Sequence, residues 1–482
     1  MSFKRTHDLV GGEDDEVIEV DSLEAIPDVL DLHGTNITQV AIDGARFLLV
    51  PPHQALDHTT GKIYFNFTTD NNVYLDGQNS LIYIGSKIVD RGGNPINVKR
   101  PAGGGDEEHN PDANVLFVNG INHAWFKNIE VKINGQVVDY GDNMYMYRGD
   151  LENRLSFNRQ AKESSLYITG WDEEANPFDD LDAAYVFPDA PPVRHDERNP
   201  ALMRRFLKTT GGKTLWTIGK IHSDIFDQEK LLPDNSRIEI ALDRNPTSFV
   251  CLSHQPNPET KYSARIDDIA LLIKVNHVNP QVSDDIKSVT QSGKSMRYPI
   301  RRVKMASFTH DHFSTEINKP ELLHGETEIP SRIFLAFVLQ SARGGAFAED
   351  PFNYQHFDLR SLCLKVGGEA IPMPNMPMNF SEGKTVLPLF SLLYALDAFM
   401  SNEDIGIDMY NYPVRNVIFG FDLKGVRSEA GKLYTKPQHK TISLEARLDH
   451  ALAHPITCII YAEFDAEIEI TPDQRIVRHL NA

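Results

Sequence analysis

Long apolar runs are missing from this chain, and so are the residue clusters that most enzymes and nucleic-acid binders carry. No run reaches the roughly 20 apolar residues that a membrane-spanning helix needs. After Lys4, Arg5 and His7 the chain turns at once to Gly-Gly-Glu-Asp-Asp-Glu, with no apolar stretch of the kind a secretory signal requires. These absences predict a soluble protein made in the cytosol, in which Asn36, Asn66 and Asn379 match the glycosylation pattern only by chance. Cysteine is scarce: Cys251, Cys363 and Cys458 are the 3 present. They lie far apart inside apolar, strand-like runs, and read as small buried core residues in a reducing compartment. Positive charge is also short, with 48 Lys and Arg against 68 Asp and Glu and a net charge of −20. Backbone binding to nucleic acid needs clustered cations, so the charge argues against a protein that coats nucleic acid, and any genome contact would have to be local.

Catalytic signatures are equally thin. There is no Gly-x-Ser-x-Gly elbow, His-Glu-x-x-His helix or Cys/His nucleophile arrangement. Thr209-Thr-Gly-Gly-Lys-Thr214 resembles the end of a phosphate-binding loop. However, Leu207 holds the first glycine position, and Leu215-Trp-Thr-Ile-Gly reads as a strand where a helix is required. His310-Asp-His312 offers two imidazoles without a third ligand nearby, and reads as a solvated loop at a strand end. Arg194–Arg198, and His450 with His454, read as charged loops. Asp179-Asp180, Asp267-Asp268 and Glu173-Glu174 are adjacent pairs, which on a strand face opposite ways and cannot flank one bond. No catalytic, cofactor-binding or metal-ligating residue is therefore assigned, no cofactor is expected, and the chain is read as not an enzyme.

What the chain does contain is one statement made twice. Asn128-Ile-Glu-Val-Lys-Ile-Asn-Gly-Gln-Val-Val138 and Ser361-Leu-Cys-Leu-Lys-Val-Gly-Gly-Glu-Ala-Ile371 align at Ile129/Leu362, Val131/Leu364, Lys132/Lys365, Ile133/Val366 and Gly135/Gly368. Each alternates apolar and polar residues into an Asn-Gly or Gly-Gly turn, the strongest short-range signal for a β-hairpin. A helix follows each. The first carries Met144, Tyr147, Leu151 and Leu155 behind the capping candidates Asp142 and Asn143. The second has Pro388 in its first turn and Leu389, Leu392, Leu393, Leu396 and Phe399 as its stripe. Cores stop growing near 250–300 residues, so 482 residues call for two domains, and the repeat makes them two copies of one all-β plan.

Further strand-like runs are Ile37–Asp43, Arg46–Val50, Lys62–Thr68, Ser80–Gly85, Lys213–Ile221, Arg237–Leu242, Ser248–Leu252 and Arg265–Val275 in the first half. The second half adds Ile300–Phe308, Arg332–Val338, Asn416–Asp422, Thr441–Arg447 and Ile456–Phe464. Short strands at regular spacing, with one helical insertion in a fixed place, suit two tandem eight-stranded jelly-roll barrels. The expected layout is a flexible arm at 1–28, a first jelly roll at 29–280, a linker at 281–297, a second jelly roll at 298–472 and a tail at 473–482. Asn279–Met296 suits a short exposed helix. Residues 89–110, 173–199 and 424–437 read as long surface loops. Gly344–Phe357 packs four large aromatic residues into a short connection, a pattern of exposed interface anchors or of a loop folded onto its own core.

Several of these segments resemble one family in its own order. They are Tyr145–Leu166 with Gly170-Trp171, Gly219-Lys-Ile-His-Ser-Asp-Ile-Phe226, Tyr298-Pro-Ile-Arg-Arg-Val303, Asp350-Pro-Phe-Asn-Tyr-Gln-His-Phe-Asp-Leu359 and the Leu364–Ile371 hairpin. Together they are similar to the double jelly-roll major capsid proteins of the Polinton/Maverick and adintovirus group, over nearly the whole chain. The resemblance implies a virion shell protein, assembled inside the host cell. It would form homotrimers of pseudo-hexagonal outline that tile an icosahedral capsid, with penton or minor capsid proteins as further partners. An all-β, lectin-like binding module and a β-sandwich hydrolase are the alternative readings.

Overall fold

Period-two alternation puts every second side chain on one face, so each strand can bury one row and hydrate the other. The computed structural model describes residues 38–57, 61–96, 115–172, 200–255, 257–326, 328–423 and 438–480. In it, the alternating runs form two successive sets of eight antiparallel strands. The first set is β1 (Ile42–Val50), β2 (Lys62–Thr68), β3 (Val73–Asp90), β4 (Phe126–Ile133), β5 (Gln136–Tyr140), β6 (Leu215–Lys220), β7 (Arg237–Arg244) and β8 (Tyr262–Val278). The second is β9 (Met296–His310), β10 (Glu316–Lys319), β11 (Arg332–Leu339), β12 (Leu359–Val366), β13 (Glu369–Pro377), β14 (Ile418–Asp422), β15 (Ile442–Leu448) and β16 (Ile456–Ile470). Within each set the strands lie in two sheets. The orders are β1-β8-β3-β6 and β2-β7-β4-β5 in the first, and β9-β16-β11-β14 and β10-β15-β12-β13 in the second. Adding eight to every strand of the first set gives the second, so the halves share one jelly-roll topology.

The inward rows make the core. On β7, Ile238, Ile240 and Leu242 are buried while Arg237 is exposed; on β15, Ile442, Leu444, Ala446 and Leu448 are buried while Glu445 and Arg447 are exposed. Each buried Ile or Leu among them contributes roughly 1.5–3 kcal/mol. The repeated hairpin is β4–β5 in one half and β12–β13 in the other. Its turns, Asn134-Gly135 and Gly367-Gly368, all have left-handed φ, at 52° and 78° and at 61° and 91°.

Among the described residues, four helices of eight or more residues join these strands: α1 (Tyr145–Ser156) and α2 (Pro200–Thr209) between β5 and β6, α3 (Pro280–Gln291) between the halves, and α4 (Val386–Ala395) between β13 and β14. The α3 helix is capped by the Asn279 side chain, which accepts from Gln281 N at 3.0 Å. Its one buried residue is Ser283. The N-cap of α1 is Met144, not Asp142 or Asn143: Asn143 is left-handed at φ 57°, and the Asp142 carboxylate is engaged elsewhere. The α4 stripe also ends sooner than its spacing suggests. Leu396 is the C-cap, and Phe399 lies in the turn beyond it.

Three further differences have local causes. Asp76–Ser80 continues inside β3 because Asp76 accepts from Asn79 N and Nδ2 and Ser80 Oγ donates to Asp76 O, accommodating a bulge opposite β8. Thr247–Val250 is a helical turn, leaving only Cys251–Leu252 extended, and these pair with Leu116–Phe117. Ile476–Leu480, within the expected tail, forms a further strand, β17, on β16. The expected arm at 1–28, and residues 97–110, 173–199 and 424–437 of the expected loops, lie outside the described residues. So do Arg194–Arg198, Glu173-Glu174 and Asp179-Asp180.

Candidate functional site: the seam between the jelly rolls

The α1 sequence, Tyr-Met-Tyr-Arg-Gly-Asp-Leu-Glu-Asn-Arg-Leu-Ser, has no clean apolar stripe, yet ten of its residues are buried. A helix covered on every side must satisfy its charges internally, and α1 does so by pairing at four-residue spacing and by reaching into the second half. Arg148 Nε donates to Glu152 Oε1 at 2.8 Å, and Arg154 Nε to Asp150 Oδ2 at 3.2 Å. Tyr354, from the second half, donates its hydroxyl to Asp150 Oδ2 at 2.8 Å, and Arg154 donates to Asn416 Oδ1. The Arg154 guanidinium also stacks over the rings of Trp171 and Tyr354, at 5.1 and 5.4 Å. Lys162, just beyond α1, donates to Arg154 O and Ile405 O, both at 2.7 Å.

A second part of the seam closes on β9. Val303 N donates to Asp224 Oδ1 at 3.2 Å, and Met305 N to Asp142 Oδ2 at 2.9 Å, so two first-half carboxylates cap the edge of a second-half strand. Lys304 Nζ reaches Asp142 Oδ1 at 2.6 Å. Arg148 holds three carboxylates, at 2.8 Å to Glu152, 2.9 Å to Asp224 and 3.6 Å to Asp139. His222 Nδ1 lies 2.6 Å from Glu152 Oε2.

Burial sets the electrostatics. Desolvation, reinforced by Asp139 and opposed by Arg148, raises the Asp224 pKa to about 7 from 3.8. Burial also opposes ionisation of Glu152, but Arg148 and His222 outweigh it and hold that carboxyl well below its usual range. His123 is pushed down to about 3 by burial, so its ring is neutral at pH 7. The charges neutralise one another in place, and the arrangement clamps two halves in one orientation. A polar cleft of about 830 Å³ adjoins α1, lined by Glu152, Arg159, Arg301, Arg332, Tyr461 and Glu463 among others. On its wall Arg332 Nε donates to Glu463 Oε2, its neighbour on the adjacent strand, at 2.9 Å.

Aromatic packing completes the seam. Phe352 sits edge-on to His123, Tyr147 and Phe249, with centroids 5.7, 5.7 and 5.9 Å away. The aromatics of Gly344–Phe357 are therefore anchors, but between the halves of one chain: Phe352 and Tyr354 are fully buried and Phe347 nearly so.

The motifs set aside on sequence grounds do not converge. Gly211 and Gly212 turn with φ 75° and 70° and lead into β6 instead of a helix. His310 Nε2 lies 2.9 Å from Ser314 O at the end of β9, whereas the His312 ring packs on Phe313 with centroids 3.8 Å apart. Asp267 accepts from Arg265 and Thr214 on β8, and the exposed His450 lies 3.8 Å from Asp358. Among the described residues no group of three or more His, Cys, Asp or Glu could hold a metal ion, and no helix is long and apolar enough to cross a membrane. All three cysteines are buried. Sequence reading missed the seam residues Arg148, Asp150, Glu152 and Arg154, although their i,i+4 pairing of opposite charges was the available signal.

No protein-family model matches the chain. Uncharacterized protein F54H12.2 of Caenorhabditis elegans is 23% identical over 434 residues, covering 89% of this chain and 95% of that protein. Among solved structures, a chain of the Sputnik virophage determined by cryo-electron microscopy matches with a TM-score of 0.59 at 10% identity, over 97% of this chain and 95% of that one. The mavirus major capsid protein matches with a TM-score of 0.55 at 10% identity, over 96% of each chain. The Faustovirus major capsid protein matches with a TM-score of 0.50 at 10% identity, over 94% of this chain and 92% of that one. From end to end of its described residues, the chain has the double jelly-roll fold of virophage and giant-virus major capsid proteins.

Proposed function

We propose that the chain is a major capsid protein of the Polinton/Maverick, adintovirus-like group. Its copies trimerise into pseudo-hexameric capsomers that tile an icosahedral shell. The observation that carries this reading is the pairing of two jelly rolls of identical strand order in one chain, matched over 96% of the mavirus major capsid protein. Three copies then supply six similar units, and each trimer buries more than the roughly 1,600 Å² of an ordinary interface. Contacts between trimers are individually weaker and hold collectively, so errors can be corrected during growth. The net charge of −20 suits a shell around a separately condensed genome. A full-length nematode relative suits an element resident in animal genomes. In this reading the division between the jelly rolls falls at 281–297, penton or minor capsid proteins are the other partners, the chain has no enzymatic role, and assembly takes place inside the host cell.

Light scattering with negative-stain electron microscopy of the purified protein tests this. The expected result is hexagonal particles of about 163 kDa, three times the 54.3 kDa chain, or closed shells. A monomer at every salt and protein concentration overturns it.

A further inference from the structure

The duplication supplies its own comparison, because one sheet face occurs once in each half and differs between them. On the solvent face of β2-β7-β4-β5, Tyr64, Ala241 and Glu130 are cross-strand neighbours in one row, and Asn66, Glu239 and Lys132 in the next. The repeat sets Glu130 against Cys363, so the strand register carries Ala241 to Glu445 on β15 and Tyr64 to Asn318 on β10. In the second half the long Glu445 side chain occupies the central position and accepts from Lys365 Nζ at 2.6 Å. In the first half only a methyl group stands there. A groove of about 410 Å³ opens above it, within the size range of small-molecule sites.

The groove is lined by one aromatic residue and by polar groups held in place. Tyr64 is 43% exposed beside the Ala241 floor. His53 N donates to Tyr64 O at 2.6 Å, which ties the β1–β2 connection along the edge of β2 and brings His53 into the lining. The charges are matched within the face: Lys132 Nζ lies 2.6 Å from Glu130 Oε1, Arg237 Nε lies 2.9 Å from Glu239 Oε1, and Lys62 stands in register with Asp243. We infer that this groove binds an uncharged saccharide. A sugar ring has an apolar C–H face, which an exposed tyrosine ring can cover, and hydroxyls that both donate and accept, which fixed cation–carboxylate pairs and Asn66 can serve from both sides. Pairing holds these groups in place before any ligand arrives, which lowers the cost of ordering them. A phosphate or sulfate would meet the carboxylates of Glu130 and Glu239, and an apolar ligand would leave the polar wall without partners.

Saturation-transfer NMR on the purified full-length protein tests this, with lactose, cellobiose, chitobiose and mannobiose as uncharged probes and with sialyllactose and a sulfated heparin disaccharide as charged ones. The expected result is transfer to at least one uncharged disaccharide, lost in both Tyr64→Ser and Ala241→Glu. The second substitution installs the residue that the other half already carries at the same place in the sheet. Melting temperatures equal to that of the wild type establish that the variants fold, and Asn66→Ala replaces either one that does not. Transfer to none of the uncharged probes, transfer that persists in the folded variants, or transfer confined to the charged probes overturns the inference. The groove belongs to a single chain, so each of these outcomes leaves the assembly reading in place.

Discussion

At the scale of single residues, the seam behaves as a set of mutual obligations. Asp150 and Arg154 are both fully buried, and each is committed to the other and to the second half through Tyr354 and Asn416. Removing one member of a buried pair strands the other, so Arg154→Met is expected to cost ~3–5 kcal/mol. Asp150→Asn added to it should recover much of that loss, and urea unfolding of the two variants measures both effects. Proton linkage gives a second prediction. The folded-state pKa of Asp224 is raised to about 7, so its contribution to stability is full at low pH and is lost as pH rises toward 7. His123 acts in the opposite direction. Its folded pKa is lowered to about 3 from 6.5, so acidification below pH 6.5 protonates the unfolded chain first and costs stability. The Glu152 contribution is already complete above pH 4.5. Between pH 5 and 6.5 the Asp224 and His123 trends oppose each other. Asp224→Asn removes one trend and retains an acceptor for Val303 N, so its urea midpoint should fall more steeply on acidification than that of the wild type. Parallel midpoints in the two proteins would contradict this assignment.

Among the elements, the repeated hairpin was the most legible part of the chain, because turn chemistry and alternation are local. Gly135 has φ 78° with open space around the position of a Cβ, so Gly135→Val tests backbone conformation alone. It should destabilise by about 1–2 kcal/mol by thermal melting, whereas Asn134→Gly keeps the left-handed turn and loses only the exposed hydrogen bond that Asn134 Oδ1 accepts from Arg237 N at 2.9 Å, about 0.5–1.5 kcal/mol. The α1 and α4 helices were legible as helices from Leu151, Leu155, Leu389 and Leu392, but their ends were not. The Asp142 carboxylate looked like a cap, yet its hydrogen bonds go to a strand 163 positions away, and no local pattern reports that. The burial of Arg148 and Arg154 escaped notice for the same reason. Charged side chains read as solvated until their partners arrive from the other half. The α2 helix was missed although Pro200, Leu202 and Phe206 mark it. It follows a long polar stretch, and its buried face needs the Leu116–Phe117 strand to make sense.

For the whole molecule, Phe352 is the bolt between the halves. Phe352→Ala should cost ~3–5 kcal/mol by calorimetry, and should split one cooperative transition into two as the halves lose their coupling. Duplication was readable from two eleven-residue strings, whereas the contact between the copies was not, because it is written in residues that differ between them. That contact has one geometric consequence. Apolar surfaces slide over one another at little cost, but hydrogen bonds across the seam, at 2.9 Å from Met305 N to Asp142 and at 2.8 Å from the Tyr354 hydroxyl to Asp150, do not. The angle between the two jelly rolls is thereby fixed within a single chain, before any neighbour is met. In a closed surface built from such chains, local curvature is already present in each molecule, and the finished radius follows from that angle by repetition.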